Sequence, residues 1–229
     1  MDAAFNINLA KATNEALQAR GYRALNHRDE TFLGDVQFVS VYKFYETRKS
    51  AMIYMAMLGL PTGPAYDPSD LMAINIFGRT TLSNMVAYSH RIGSRFSLMP
   101  YATYLLNVED KVSARVPLNE EDSLPDINSE QTVSRSIGNT AVIGSNVFYE
   151  LSDSWTFGAA YEASQKKENQ YRGDRDSRYD LLSKNTQSAA QRVKGEVTYS
   201  TVKSYLDKSK KIPLMFSCEV SDVIAGMNY

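Results

Sequence analysis

The chain has 229 residues, 43% hydrophobic and 22% charged, with a formal net charge of -1. That length suits one large domain or one barrel, and the near-neutral balance argues against a nucleic-acid partner. The single cysteine, Cys218, excludes an intrachain disulfide and a cysteine metal cluster, and no apolar run approaches the ~20 residues of a membrane helix.

Met1 to Asn6 has neither the basic nor the apolar stretch of a secretory signal. Asn8 to His27 reads as a helix or a long irregular loop. Leu9, Ala12, Ala16 and Leu17 stand at helical spacing, and Gly21 would end the helix. Residues 1–30 are therefore expected as a helical or irregular segment, loop or plug, and residues 31–229 as a β-barrel wall.

From Gly34 onward about eight strand-like segments follow. The first is Val36 to Tyr45 and the second Ala51 to Leu60, with a turn-rich stretch at 61–70. The third covers Leu71 to His90 with a break near Gly78, and the fourth Phe96 to Asn107. A polar stretch, Val108 to Ser136, is expected as loop by its length and acidity. Asn139 to Glu150 and the strand beginning at Ser154 come fifth and sixth. A second polar loop covers Gln165 to Gln187. Arg192 to Ser204 and Ile212 to Ile224 come last, joined by a turn holding Lys208, Lys210 and Lys211.

Connections thus alternate short and long along the whole chain, as in a membrane barrel with short periplasmic turns and long external loops. On that orientation the eighth strand ends outside, so a closing strand is expected to be missing and the chain to be a piece of a longer barrel.

Side chains alternate as well. Trp155, Phe157, Ala159 and Tyr161 share one side, opposite Thr156, Gly158, Ala160 and Glu162. Val193, Val197 and Tyr199 oppose Arg192, Lys194 and Glu196, and Phe216 opposes Glu219. Three charges on one face are costly against a dry core and cheap against a wet lumen. Trp155, Phe157, Tyr161, Val193, Val197, Tyr199 and Phe216 are therefore the lipid-facing candidates. Lys43, Glu162, Arg192, Lys194, Glu196 and Glu219 are the lumen candidates, either as an electrostatic filter or as internal ion pairs. In the second strand Ile53, Met55 and Met57 are apolar on the inner side, where the helical segment or loops would cover them. The 15 tyrosines suit a membrane boundary, and equally the general preference of tyrosine for strands.

Several short motifs are similar to FadL-like outer-membrane transporters and the phenol-degradation meta-pathway type. They are Gly34-Asp35-Val36, Leu60-Pro61-Thr62-Gly63 with Asp67-Pro68, Tyr199-Ser200-Thr201-Val202, Ile212-Pro213-Leu214 and Ile224-Ala225-Gly226-Met227-Asn228. They span Phe32 to Asn228. The resemblance implies an antiparallel up-and-down transmembrane β-barrel that passes small hydrophobic molecules, with a further strand after Asn228. No plug motif of that family matches Met1 to Glu30.

No catalytic residue, metal site or cofactor is expected. Ser89 and His90 are adjacent on a strand and point to opposite faces, which defeats a Ser-His pair. His27 reads as a solvated loop residue. Asp67 and Asp70, or Asp174, Asp176 and Asp180, lack the spacing of a calcium loop. The expected function is passive solute passage in the bacterial outer membrane, with lipid and lipopolysaccharide as surroundings. The alternatives are a soluble all-β ligand-binding barrel or sandwich, and an outer-membrane barrel enzyme.

Overall fold

The computed structural model describes residues 3–25, 31–72, 78–209 and 211–228; His27, Lys210 and the proposed break before Gly78 fall partly or wholly outside them. Helix α1 (Ala3–Ala19) is followed by β1 (Val36–Glu46), β2 (Ser50–Leu60), β3 (Thr81–Ile92) and β4 (Phe96–Asn107). Next come β5 (Asp110–Arg115), β6 (Glu130–Ser136), β7 (Thr140–Glu150), β8 (Trp155–Lys166) and β9 (Gln170–Arg172). Helix α2 (Tyr179–Ser183), β10 (Ser188–Ser200), α3 (Val202–Leu206) and β11 (Met215–Met227) complete the chain.

Eight strands form one antiparallel sheet in the order β1-β2-β3-β4-β7-β8-β10-β11. Each main strand pairs with its predecessor in that order, which is an up-and-down meander. β1 and β11 are its edges, and the sheet is not closed among the described residues. Strands of 11 to 13 residues rise about 3.3 Å per residue, long enough to cross a hydrocarbon layer at a tilt. Bulges interrupt the ladder between Lys43 and Tyr45 and between Gln191 and Arg192, where an extra residue bends the strand.

Four expectations need correction. The third strand starts at Thr81 and not at Leu71, and it ends at Ile92. Val108 to Ser136 is not loop throughout: β5 and β6 pair there, and β9, from the second polar loop, joins them in a separate three-stranded sheet. Acidic composition did not prevent this, because Asp110 is opposite Arg135 and Arg115 opposite Glu130 in the register, so charges pair across strands. The seventh main strand ends at Ser200, where α3 begins, and the eighth runs from Met215 to Met227. The last connection, 201–214, is therefore longer than a tight turn.

Apolar burial is concentrated above the sheet and not on it. Val116 and Val133, at 2% and 0% exposure, are the centre of a cluster with Ala114. Val112, Tyr171, Tyr179 and Leu182 pack around it. This cap is built from the long loops, all at one end of the meander. α1 is tied to it. Arg115 donates to the carbonyls of Arg20 and Gly21 at 2.8 and 2.6 Å and stacks on the Tyr22 ring at 4.0 Å. Gly21 ends the helix at φ +75°, with Ile127 so close that a Cβ would lie 2.8 Å from it. α1 therefore docks on the loops. Ile53, Met55 and Met57 are half-buried, and the expected helical cover over them is replaced by this docking.

The quoted motifs turn out to be staples. The Asp35 carboxylate accepts from the Gly63 amide at 2.7 Å and from the Gly78 amide at 3.1 Å with both oxygens. Gly78 has φ +74°. Thr62 Oγ1 accepts from the Val36 amide at 2.8 Å. At the opposite end Thr201 Oγ1 donates to the Ile212 carbonyl and accepts from the Leu214 amide, both at 2.9 Å. Burial raises the Asp35 pKa, but backbone donors from Gly63, Gly78, Arg79 and Thr62 outweigh it and hold the carboxyl below the ordinary aspartate range.

A depressed folded pKa means that the Asp35 clamp contributes fully above the unfolded value of about 3.9 and is lost as the pH falls through the lower folded value. Asp35→Asn should lower unfolding stability in detergent by about 1–2 kcal/mol at pH 7. The difference from wild type should shrink in melts taken below about pH 4; an unchanged difference there removes the clamp's charge from the account.

Candidate functional site: the two faces of the sheet

The register carries one lateral row across the whole sheet: Lys43, Ile53, Ala87, Tyr101, Gly144, Glu162, Arg192 and Val223 are successive partners. Lys194 and Glu196 lie on the same face further along β10, and Glu219 is opposite Glu196. All the lumen candidates therefore share a single face.

Trp155, Phe157, Tyr161, Val193, Val197, Tyr199 and Phe216 share the other face. Near the short turns its aromatics form a belt. Phe96 is opposite Tyr149, Tyr149 opposite Phe157, Trp155 opposite Tyr199 and Tyr199 opposite Phe216. Ring centroids are 4.8 Å apart for Phe96 and Tyr149, and 5.0 Å for Trp155 and Tyr199. Tyr104 and Tyr161 mark the other end of this face; Tyr161 donates to Gln191 at 3.0 Å.

Exposure is inverted relative to a water-soluble sheet. Trp155, Phe157 and Tyr161 are each more than two-fifths exposed, whereas the Glu162 side chain is 17% exposed. Along β8 and β10 apolar positions are the exposed ones, and the polar positions between them are half-buried. A single layer exposes one face less than the other when it curls around that face, as twisted sheets do. The charged face is therefore the inner one.

Tyr101 is the centre of the inner row. Its hydroxyl donates to Glu162 Oε2 at 2.7 Å, two strands away, and Arg192 Nη1 donates to Glu162 Oε1 at 3.4 Å. The ring reaches across Gly144, where a Cβ would meet its Cζ at 2.6 Å. Phe148 likewise crosses Gly158. Glu196 Oε1 accepts from Thr198 at 2.7 Å and Ser217 at 3.0 Å, which offsets the like-charged Glu219 opposite it. Lys43 pairs with Glu46 at 2.6 Å. Lys194 and Glu219 have no ion pair among the described residues. The set thus divides into internal pairs and free charges.

The inner face also has an apolar half. Ile53, Met55 and Met57 on β2 and Met85 on β3 are on the same side as the charges. Arg91 and Glu150 pair on it at 2.6 Å near the short turns. Sequence reasoning missed Tyr101, Met85 and this ion pair. Alternation within β4 contains the signal for Tyr101's side, but its reach to Glu162 depends on three-strand register.

The remaining sequence candidates have ordinary roles. Ser89 is opposite Ala51 and His90 opposite Ser50, on different faces. His90 Nδ1 is 2.7 Å from Ser50 Oγ, which also touches Tyr88. Arg23 pairs with Asp67 and Asp70, and Arg178 with Asp180. Among the described residues no group of three or more His, Cys, Asp or Glu side chains is placed to hold a metal.

Tyr101→Phe removes a donor to a carboxylate and should cost about 1.5–3 kcal/mol in urea unfolding. Gly144→Ala pushes the ring away and should lose the same bond. The two together should therefore be clearly less than additive; additivity in that cycle breaks the proposed geometry.

No protein-family model matches the chain, and no curated protein matches it in sequence. Among solved structures it is similar to an outer membrane channel from Pseudomonas putida F1, with a TM-score of 0.62 and 12% identity. The match covers 87% of this chain and 62% of that one, so the chain spans under two thirds of the channel's length. Likeness at that identity speaks of architecture: the chain has the all-β, antiparallel up-and-down fold of an outer-membrane barrel wall, with a short helix near its N-terminus.

Proposed function

We propose that this chain forms the wall and outer cap of a bacterial outer-membrane channel through which small solutes pass passively. The observation that carries the reading is the inversion of burial: a continuous apolar, aromatic-edged face is exposed while the charged face curls inward. Phe38, Tyr42, Ile143 and Phe216 are more than half exposed on the outward face of the sheet. A soluble monomer rarely leaves an apolar patch beyond a few hundred Å² uncovered. Lipid hydrocarbon would cover it, with the backbone already satisfied by the inter-strand ladder. In this reading lipopolysaccharide surrounds the long-loop end, the short turns face the periplasm, and the aromatic belt is at the inner boundary.

The resemblance to FadL-like and meta-pathway transporters suggests a hydrophobic solute. The apolar lane of Ile53, Met55, Met57 and Met85 beside the charged rows supports that, since methionine adapts to varied apolar shapes. The mechanism needs no chemical step, and none of the candidate residues is given one.

The purified protein is expected to aggregate without detergent and, in liposomes, to admit small sugars and cause swelling. In planar bilayers under a salt gradient, Lys194→Glu should move the reversal potential toward cation preference. A preparation that stays monodisperse without detergent and leaves liposomes inert rejects the channel and favours a soluble ligand-binding protein.

A further inference from the structure

The cap is indented by a cavity of about 420 Å³, bounded by Tyr22, by Tyr66, Leu71 and Arg79, and by the three-stranded sheet. That size is within the usual range for small-molecule sites. Four cationic side chains line it, Arg79, Arg115, Arg135 and Lys166, and no carboxylate does. The whole chain has a net charge of -1, so this concentration is local.

Two of the four are accounted for. Arg135 is held bidentately by Asp110, at 3.0 and 2.5 Å. Arg115, its side chain 3% exposed, gives its Nη atoms to carbonyls and to Ser69 Oγ. Its Nε has no hydrogen-bond partner, and Glu130 is 4.0 Å away. Neither of the other two forms an ion pair among the described residues. Lys166 Nζ donates to Asn169 Oδ1 and the Thr186 carbonyl, both neutral groups, at 2.7 Å. The side chain of half-buried Arg79 has no hydrogen bond or ion pair among the described residues. Burial, and then the Arg135 guanidinium, pull it below the usual arginine range, and the Asp110 and Asp35 carboxylates offset this only in part. Nearby Asp67 and Asp70 are engaged by Arg23.

Charge held partly out of water without a counter-charge is costly, and a bound anion removes that cost. Apart from Ser123 and Asn169 the remaining walls are apolar or aromatic, among them Tyr66, Tyr171, Leu71, Val112 and Leu182. Burial pushes the Tyr66 hydroxyl up, so it stays a donor at neutral pH. An inorganic anion would satisfy the cations and leave these walls unused.

We propose that this cavity binds a small organic carboxylate with a compact apolar body, its carboxylate on Arg79 and Lys166 and its body against the tyrosines. The site deepens the channel reading, as a station where such solutes gather before entering the lumen, and it rests on that reading for its purpose but not for its affinity.

Calorimetric titration of the detergent-solubilised full-length protein tests it, with benzoate as probe and benzyl alcohol and inorganic phosphate as comparators. Benzoate should bind, and both comparators should bind at least tenfold more weakly. Arg79→Gln with Lys166→Gln should weaken benzoate at least tenfold, Arg79→Lys should restore part of that loss in the double variant's place, and Lys208→Gln in the far turn should change nothing. Benzyl alcohol binding as well as benzoate, phosphate binding as well as benzoate, or an unaffected double variant with a wild-type melting curve overturns the proposal. Should the double variant fail to fold, the wild-type comparison of the three ligands decides alone. Liposome swelling separates the two ideas: swelling without benzoate binding sinks the site and keeps the channel, and binding without swelling does the reverse.

Discussion

The main sheet is a single layer, and its stability rests on the ladder of backbone hydrogen bonds between neighbouring strands. Among the described residues Ala87 is the one buried hydrophobic residue of that sheet; Leu17, Tyr22, Ala114, Val116 and Val133 all belong to the helix, the following segment and the cap. A layer with no partner layer has no dry interior of its own. Its two faces must then meet different surroundings, and alternation within each strand supplies two different chemistries. The inward side is polar on β8, β10 and β11 and apolar along the middle of β2; the outward side is apolar nearly throughout.

The inner surface is ordered by glycine as much as by charge. Gly144 lets Tyr101 lie flat across β7 and reach Glu162. Gly158 admits Phe148 in the same manner. Large rings laid over small residues fill the crowded concave side without widening the strand spacing. The same arrangement fixes Glu162 between a phenol and a guanidinium, so that its charge is neutralised locally, whereas Lys194 and Glu219 have no ion pair among the described residues.

Much of this was readable in the chain because a period of two survives in β8, β10 and β11, though not in β2, which is apolar on both sides. The faces of β8 and β10, and the fourth strand from Phe96 to Asn107, follow directly from alternation. Reading stopped where partners are distant. Asp110 and Arg135 make a strand pair out of an acidic stretch, and neither residue signals the other across 25 positions. Gly34-Asp35 and Thr62-Gly63 were visible as motifs, but their meeting around one carboxylate belongs to the fold. The cavity cations come from four separate segments, which no local pattern joins.

The cap draws its small sheet from two different hairpins. β5 and β6 come from the excursion after β4, and β9 from the one after β8. Their seam is only three residue pairs: Ser134 with Arg172, Arg135 with Tyr171 and Ser136 with Gln170. Two excursions from separate hairpins are thereby basted together at one end of the sheet. So short a seam unzips at smaller energetic expense than the ladders of ten or more pairs between wall strands, which makes the covering above the sheet a separately yielding fabric on a stiffer frame.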